Sequence, residues 1–166
     1  MPAVKPASAP APDQSPSPPL PHRNLPLLLL LAREGVIGLF RPLLHAQGLT
    51  EQQWRVLRVL VEFGTLEPRE IGRMCGLSSP SLAGILARMQ EQGLITRQAL
   101  AHDKRRQAVS ATARSRRTAA RLAPEIETVY RRLEDTLGPA VVDRLYATLD
   151  ELVAALGDQP TVQTTG

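Results

Sequence analysis

The sequence PREIGRMCGLSSPSLAGILARM occupies residues 68–89 and has the spacing of a helix-turn-helix. It predicts one helix over about Pro68–Cys75 and a second over about Pro80–Gln92, joined by a very short link. Gly72 leaves room for the second helix to approach closely, and Gly76 permits a turn with positive φ. The apolar side chains predicted to pack between the two helices are Ile71, Cys75, Leu77, Leu82 and Ile85.

The hydrophobic period changes after the second of these helices. Residues 94–100 and 107–111 predict two short strands, separated by a polar loop over residues 101–106. A strand pair with a basic loop directly after a helix-turn-helix is typical of a winged helix-turn-helix. The predicted fold is therefore mainly α, with a small two-stranded wing.

The loop of the predicted wing carries Asp103, Lys104, Arg105 and Arg106. Asp103 is placed to hold the Arg105 guanidinium by a bidentate pair, which would aim it. An arginine held at a hairpin tip suits a narrow minor groove, where the negative potential of DNA is deepest. Lys104 and Arg106 are predicted to contact phosphates.

The second helix of the motif has an apolar face and an opposite arc of small residues. Ser79 is predicted to cap this helix, with Pro80 at the first helical position. Small side chains on the outer arc would let the helix lie deep in a major groove, where Ser81 and Arg88 could reach bases or backbone. The residues of this helix predicted to contact DNA are Ser79, Pro80, Ser81, Gly84 and Arg88.

The distribution of charge supports a polyanionic partner. The 166-residue chain has a formal net charge of +4, but residues 97–121 alone carry +7 and the remainder −3. Such a basic segment on a mildly acidic body indicates a surface for a polyanion such as double-stranded DNA. A solvated charged face is the alternative reading of the same segment.

Composition excludes several classes of protein. One cysteine cannot form an intramolecular disulfide or a Cys-based zinc site, and the three histidines are widely separated. The longest apolar run is far shorter than a membrane span. No nucleophile–base pair, phosphate-binding glycine loop or carboxylate cluster can be assembled from the sequence. We therefore expect a cytoplasmic protein without enzymatic activity, cofactor or metal.

The ends of the chain differ from its middle. Nine of the fifteen prolines fall within the first 26 residues, which predicts a disordered tail over residues 1–23, and residues 157–166 predict a second flexible tail. Residues 24–47 and 112–156 are predicted to form dimerisation helices around a winged helix-turn-helix over residues 50–111. A coiled-coil-like apolar stripe in the last helix favours packing against a partner chain, or alternatively against this chain's own core. The stripe consists of Val142, Leu145, Leu149, Leu152 and Leu156.

A ligand site is predicted between the dimerisation helices and the winged domain. Arg33, Arg41 and His45 recur along one side of the first helix, and Trp54 lies at the start of the next. A cation beside an aromatic wall suits an aromatic carboxylate, although each of these residues also has a plain structural role open to it. Cys75 lies on the apolar wedge, so a structural role is favoured over oxidant sensing.

Residues 25–156 resemble transcriptional regulators of the multiple antibiotic resistance (MarR) family. Asp103-x-Arg105 followed by Val109 and Thr112 is similar to the family's wing signature, although Ala111 stands where the family usually has Leu. The Pro-rich start and Pro124 depart from the family pattern. Two further matches cover the recognition helix and its exit: Pro80-Ser81-Leu82 and Leu86-x-x-Met89-x-x-x-Gly93-Leu94-Ile95.

Within the family, several segments are similar to regulators of homoprotocatechuate and 4-hydroxyphenylacetate degradation. The resemblance implies a homodimeric repressor that binds a pseudo-palindromic operator and is released by a small phenolic effector. Two alternatives remain: a winged-helix module that binds protein, and a MarR-type regulator that senses an oxidant or an antibiotic. The similar segments are Ala32-Arg33-Glu34, Phe40-Arg41-Pro42, residues 49–55 and residues 80–86.

Overall fold

The computed structural model describes residues 21–100 and 103–157, with the backbone alone for residues 103–105. The tails predicted over residues 1–23 and 157–166 lie almost wholly outside the described residues. The described part is mainly α with one two-stranded antiparallel sheet, as predicted. Its elements are α1 (Leu25–Ala46), α2 (Glu51–Phe63), α3 (Pro68–Cys75), α4 (Ser79–Glu91), β1 (Ile95–Leu100), β2 (Asp103–Ala111), α5 (Ala113–Leu137) and α6 (Pro139–Gly157).

The turn between α3 and α4 explains both glycines of the motif. Gly76 ends α3 in the left-handed region with φ 60°. A Cβ atom on Gly72 would lie 3.2 Å from the carbonyl oxygen of Leu77 and 3.5 Å from Leu82 Cδ2. The amide of Leu77 also donates to the carbonyl of Gly72 at 2.9 Å. The predicted close approach at Gly72 and the positive-φ turn at Gly76 are therefore confirmed.

Gly76→Ala is expected to lower the free energy of unfolding by about 1 kcal/mol, since an L side chain disfavours the left-handed region. No atom lies within 4 Å of the added Cβ, so the cost comes from the backbone alone. Gly76→Asn should cost less, because Asn tolerates this conformation. Urea unfolding followed by circular dichroism measures both. Equal midpoints for wild type and Gly76→Ala would contradict this account of the turn.

The start of α4 corrects one prediction. Ser78 occupies the N-cap position with extended φ and ψ, whereas Ser79 is already the first helical residue and Pro80 the second. Ser79 therefore does not cap the helix. The Ser78 hydroxyl donates to the Ser81 hydroxyl at 3.0 Å and accepts from no backbone amide of α4.

The wing differs from its prediction at one strand. β2 begins at Asp103, so residues 103–106 belong to the strand and not to the predicted loop. β1 pairs with β2 from Ile95 opposite Ala111 to Leu100 opposite Asp103, with an irregularity at Ala99/Leu100. Four consecutive charged residues hide the period of a strand, and cross-strand pairing overrides that local signal.

The core lies where α2, α4 and β2 meet. Val56, Leu57, Leu60, Met89 and Val109 are all fully buried. The apolar period of this helix predicts Leu57, Leu60 and Val61 to face inward, which is confirmed for Leu57 and Leu60 and wrong for Val61. Val61 is 38% exposed because the buried face of α2 is centred on Gln53, Val56, Leu57 and Leu60, and at 100° per residue Val61 lies at the edge of that face. Residues 50–53, Thr-Glu-Gln-Gln, have the sequence of a capping box, and α2 begins with one between Thr50 and Gln53.

The helices outside the winged domain leave apolar surface uncovered. Asn24 is a residue type that caps helices, and at the start of α1 its side chain accepts from the amide of Leu27. The five leucines at positions 27–31 are exposed, and Val142 is the one fully buried residue of α6 within the described part of the chain. Pro42 lies inside α1 and Pro124 inside α5. Within the described residues, no helix is long and apolar enough to cross a bilayer.

Candidate DNA interface and effector cavity

The outer face of α4 forms one wall of a groove. Pro80, Ser81, Gly84 and Arg88 line this groove, which has a volume of about 470 Å³ and is closed on the other side by the start of α2. Three of these four side chains are exposed, and Gly84 is half-buried. Four of the five α4 residues predicted to contact DNA are thus brought together. The residues that α2 contributes to the groove are Thr50, Gln52 and Gln53.

The fifth residue, Ser79, lies in a neighbouring cavity of about 420 Å³ between α3, α4 and β1. Arg69, Arg73 and Arg97 line the same cavity. The Nε and Nη2 atoms of Arg97 are buried and have no hydrogen-bond partner among the described residues. This arginine cluster was missed from sequence, since α3 and β1 are far apart in the chain and only the fold joins them.

Of the four wing residues predicted to contact DNA, the structure describes the side chain of Arg106 alone. Arg106 is bound within the protein, because its Nε donates to Glu67 Oε2 at 3.0 Å and its Nη2 to Glu67 Oε1. This ion pair attaches β2 to the start of α3, and the Arg106 side chain remains half exposed. The side chains of Asp103, Lys104 and Arg105 lie outside the described part. Their contacts with DNA, and the pairing of Asp103 with Arg105, stay predictions.

A cavity of about 610 Å³ lies between α1, α2, α5 and α6. Arg33 and Trp54 line it, as the sequence predicts, whereas Arg41 and His45 are not among its lining residues. Arg41 Nη2 lies 2.5 Å from Glu34 Oε2, and His45 is exposed. The Arg41 guanidinium also lowers the pKa of Glu34 by its hydrogen bond. A spacing of four residues drifts around a helix of 3.6 residues per turn, so residues 33–45 do not share one wall.

The cavity contains a cation and an aromatic wall that sequence reasoning missed. Arg58 Nη1 lies 3.4 Å from Tyr130 Oη, and this hydrogen bond raises the pKa of Arg58. The Phe40 and Tyr130 rings are tilted by 59° with centroids 5.0 Å apart. Arg58 follows Trp54 by one helical turn, so the helical period of α2 could have placed both residues on the cavity wall.

The arginines of this cavity differ in their partners. Arg33 forms ion pairs with Glu34 and Glu51, and Arg55 forms one with Glu51 at 2.7 Å. Arg58 instead donates to the Tyr130 hydroxyl. A ligand carboxylate placed beside Arg58 would therefore displace a neutral partner and gain a charge-assisted hydrogen bond.

Cys75 has the surroundings of a core residue. It is 4% exposed, burial raises the pKa of its thiol, and its carbonyl accepts from Arg55 Nη1 at 2.9 Å. A thiol with a raised pKa forms less of the reactive thiolate. These features favour the structural role over oxidant sensing.

Comparisons with known proteins agree with this architecture. Residues 47–106 match the model of the MarR family. The homoprotocatechuate degradative operon repressor of Escherichia coli is 34% identical over 133 residues, which are 80% of this chain and 90% of that protein.

Solved structures give the same result. The transcriptional regulator PA4135 superposes with a TM-score of 0.77 at 33% identity, over 84% of this chain and all of that chain. NadR in complex with 4-hydroxyphenylacetate superposes with a TM-score of 0.71 at 32% identity, over 82% of this chain and 96% of that chain. The resemblance predicted from sequence is confirmed: the chain belongs to the MarR family of winged helix-turn-helix transcriptional regulators.

Proposed function

We propose that this protein is a homodimeric repressor that binds a pseudo-palindromic operator in double-stranded DNA. The observation that carries the proposal is the exposed outer face of α4, which is built of small and polar residues and flanked by the arginines of α3 and β1. A helix with this face fits a major groove, and the neighbouring guanidiniums suit its phosphates. A DNA-bound regulator of this kind acts in the cytoplasm.

Dimer formation follows from the uncovered apolar faces of α1 and α6. Leucines 27–31 and several α6 side chains, among them Leu145 and Leu156, are exposed in the single chain. Apolar surface of this extent at the two ends of one chain favours burial against a second copy. Two α4 helices related by a twofold axis would then read two half-sites about one turn of DNA apart.

The effector is proposed to be a small phenolic carboxylic acid in the cavity between α1, α2, α5 and α6. Arg58 would bind the carboxylate, while Trp54, Phe40 and Tyr130 would pack against the ring. NadR, which shares the fold at 32% identity, has been solved in complex with 4-hydroxyphenylacetate, an acid of this class. The similarity to the E. coli repressor further supports a role in an aromatic-acid degradation operon.

The alternative functions are less well supported by the same surfaces. A winged-helix module for protein binding would be expected to expose large apolar or acidic side chains on the outer face of α4, whereas that face carries Ser81, Ala83, Ala87 and Arg88, and the acidic Glu91 is confined to the last residue of the helix. An oxidant sensor would need a reactive thiol, and Cys75 is buried.

Fluorescence anisotropy with DNA from the protein's own upstream region tests the proposal, with and without 4-hydroxyphenylacetate. We expect saturable binding that weakens steeply with salt and is reversed by the acid, and sedimentation should give a dimer. Benzoate, which lacks the phenol and the methylene, serves as the control acid and should release DNA less effectively. Failure to bind any upstream fragment at low salt would instead favour the protein-binding module.

A further inference from the structure

Three arginines on one face of α5 line a separate cavity of about 350 Å³. Arg114, Arg117 and Arg121 border this cavity together with Gln47 and Thr118. All three arginines are exposed, and their spacings of three and four residues place them on the same side of the helix. They belong to the basic segment of residues 97–121.

The cluster has no acidic counterpart in the described structure. The ion pairs that residues 21–100 and 103–157 form all lie elsewhere, and α5 has no acidic residue before Glu125. Like charges three or four residues apart destabilise a helix, and cations are disfavoured at its N-terminal end. The arrangement is therefore unfavourable in the isolated chain, and a bound anion would offset its cost.

The position of the cluster identifies the anion. Thr112, the N-cap of α5, donates from its hydroxyl to the carbonyl of Gly93 at 3.0 Å, immediately after the end of α4. Gln92, at the same end of α4, accepts from Gln53 Nε2 at 2.7 Å. Gln47 precedes the start of α2, which forms the far wall of the α4 groove. The arginine cavity thus adjoins the C-terminal end of the groove proposed to hold DNA.

We propose that Arg114, Arg117 and Arg121 bind backbone phosphates of the operator beyond the bases that α4 reads. The inference rests on the proposed function, since it extends the DNA interface from the winged domain to the first turns of α5. A guanidinium offers a planar fork of donors that matches two phosphate oxygens. Such contacts add affinity and salt dependence without adding sequence preference.

The triple variant R114Q/R117Q/R121Q tests the inference against the charge-matched variant R131Q/R132Q/R144Q. The control positions are exposed arginines on α5 and α6, so both variants lose three positive charges. At about 0.1 M salt we expect the cluster variant to bind upstream DNA roughly 10- to 100-fold more weakly. Its plot of log affinity against log salt should be shallower by about 5, because a dimer loses six phosphate contacts of about 0.9 each, and the control should stay within about threefold of wild type.

Two further measurements separate DNA contacts from other roles. The thermal midpoint of the cluster variant should equal or exceed that of wild type, because repulsion within α5 is relieved. Sedimentation should give the same dimer for both proteins. A lower midpoint, or a weaker dimer, would overturn the inference and assign the arginines to the fold or to the partner chain.

The remaining outcomes are distinct for each proposal. If wild type binds no upstream DNA, the proposed function falls and this inference falls with it. If wild type binds and the cluster variant keeps its affinity and salt slope, or loses no more than the control, only this inference is overturned. A third measurement is a titration of both proteins with inorganic phosphate. If wild type binds phosphate saturably, the cluster variant does not, and both bind DNA equally well, the inference that these arginines contact DNA is also overturned.

Discussion

Replacing Ala87 by Glu is expected to weaken operator binding by about 100-fold or more. Ala87 is exposed on the outer face of α4, between the residues that line the DNA groove. A carboxylate about 5 Å from a phosphate at an effective dielectric constant of about 20 is repelled by about 3 kcal/mol. A homodimer would incur this repulsion at both half-sites. Fluorescence anisotropy at a fixed salt concentration measures the loss.

The matched control for this substitution is Ala123→Glu. Ala123 is exposed on α5, where it faces away from the side that carries Arg114 and Arg121. Both variants add one negative charge to an exposed helical position, so their thermal midpoints should stay close to that of wild type. The proposed docking of α4 would be wrong if Ala87→Glu bound the operator as well as Ala123→Glu does.

Arg58→Gln should abolish most of the response to a phenolic acid without weakening DNA binding. A hydrogen bond between a guanidinium and a carboxylate contributes about 1.5–3 kcal/mol, so half-maximal release should need roughly 10- to 150-fold more 4-hydroxyphenylacetate. Arg58 lies on the cavity wall and away from the α4 groove, which separates the two effects. A titration of preformed protein–DNA complex with the acid measures the shift.

Arg41→Gln is the control for the effector site, because the sequence placed Arg41 in the site and the structure does not. Arg41 is not among the cavity-lining residues; it pairs with Glu34 and, at 3.9 Å, with the lining residue Glu51. Its substitution should leave the release concentration within about threefold of wild type, which is the usual size of a lost surface ion pair. If Arg41→Gln shifted the release concentration strongly and Arg58→Gln did not, the effector would bind at Arg41, as predicted from the sequence, and not at Arg58, as proposed from the structure.

Local signals in this chain predicted local structure well. The bounds of α3, the capping box at Thr50 and the positive φ at Gly76 each depend on residues within one or two turns. The strand β2 was shortened in prediction because residues 103–106 show no alternation, and only pairing with β1 reveals them as a strand.

The residues of a candidate site could be predicted from the sequence where they lie within one helix, and could not where they come from distant parts of the chain. The outer face of α4 follows from helical periodicity alone, and the structure brings most of its residues together. Arg58 and Tyr130 are 72 residues apart, and Arg106 and Glu67 are 39 apart. No pattern within one segment marks either pair, since the tertiary fold creates them.

α2 borders both proposed sites, and the hydrogen bond between Gln53 and Gln92 connects it to the end of α4. This helix of 13 residues, about 20 Å long, lines the proposed effector cavity with Trp54 and Arg58 and borders the α4 groove with its first turn. We expect a ligand that tilts α2 to shift the end of α4 as well, because the buried Gln53 side chain connects the two helices. By thermodynamic linkage the two ligands must weaken each other equally. The factor by which the effector lowers the affinity for DNA is also the factor by which bound DNA lowers the affinity for the effector. The concentration of acid that empties the operator should therefore rise with the amount of operator present.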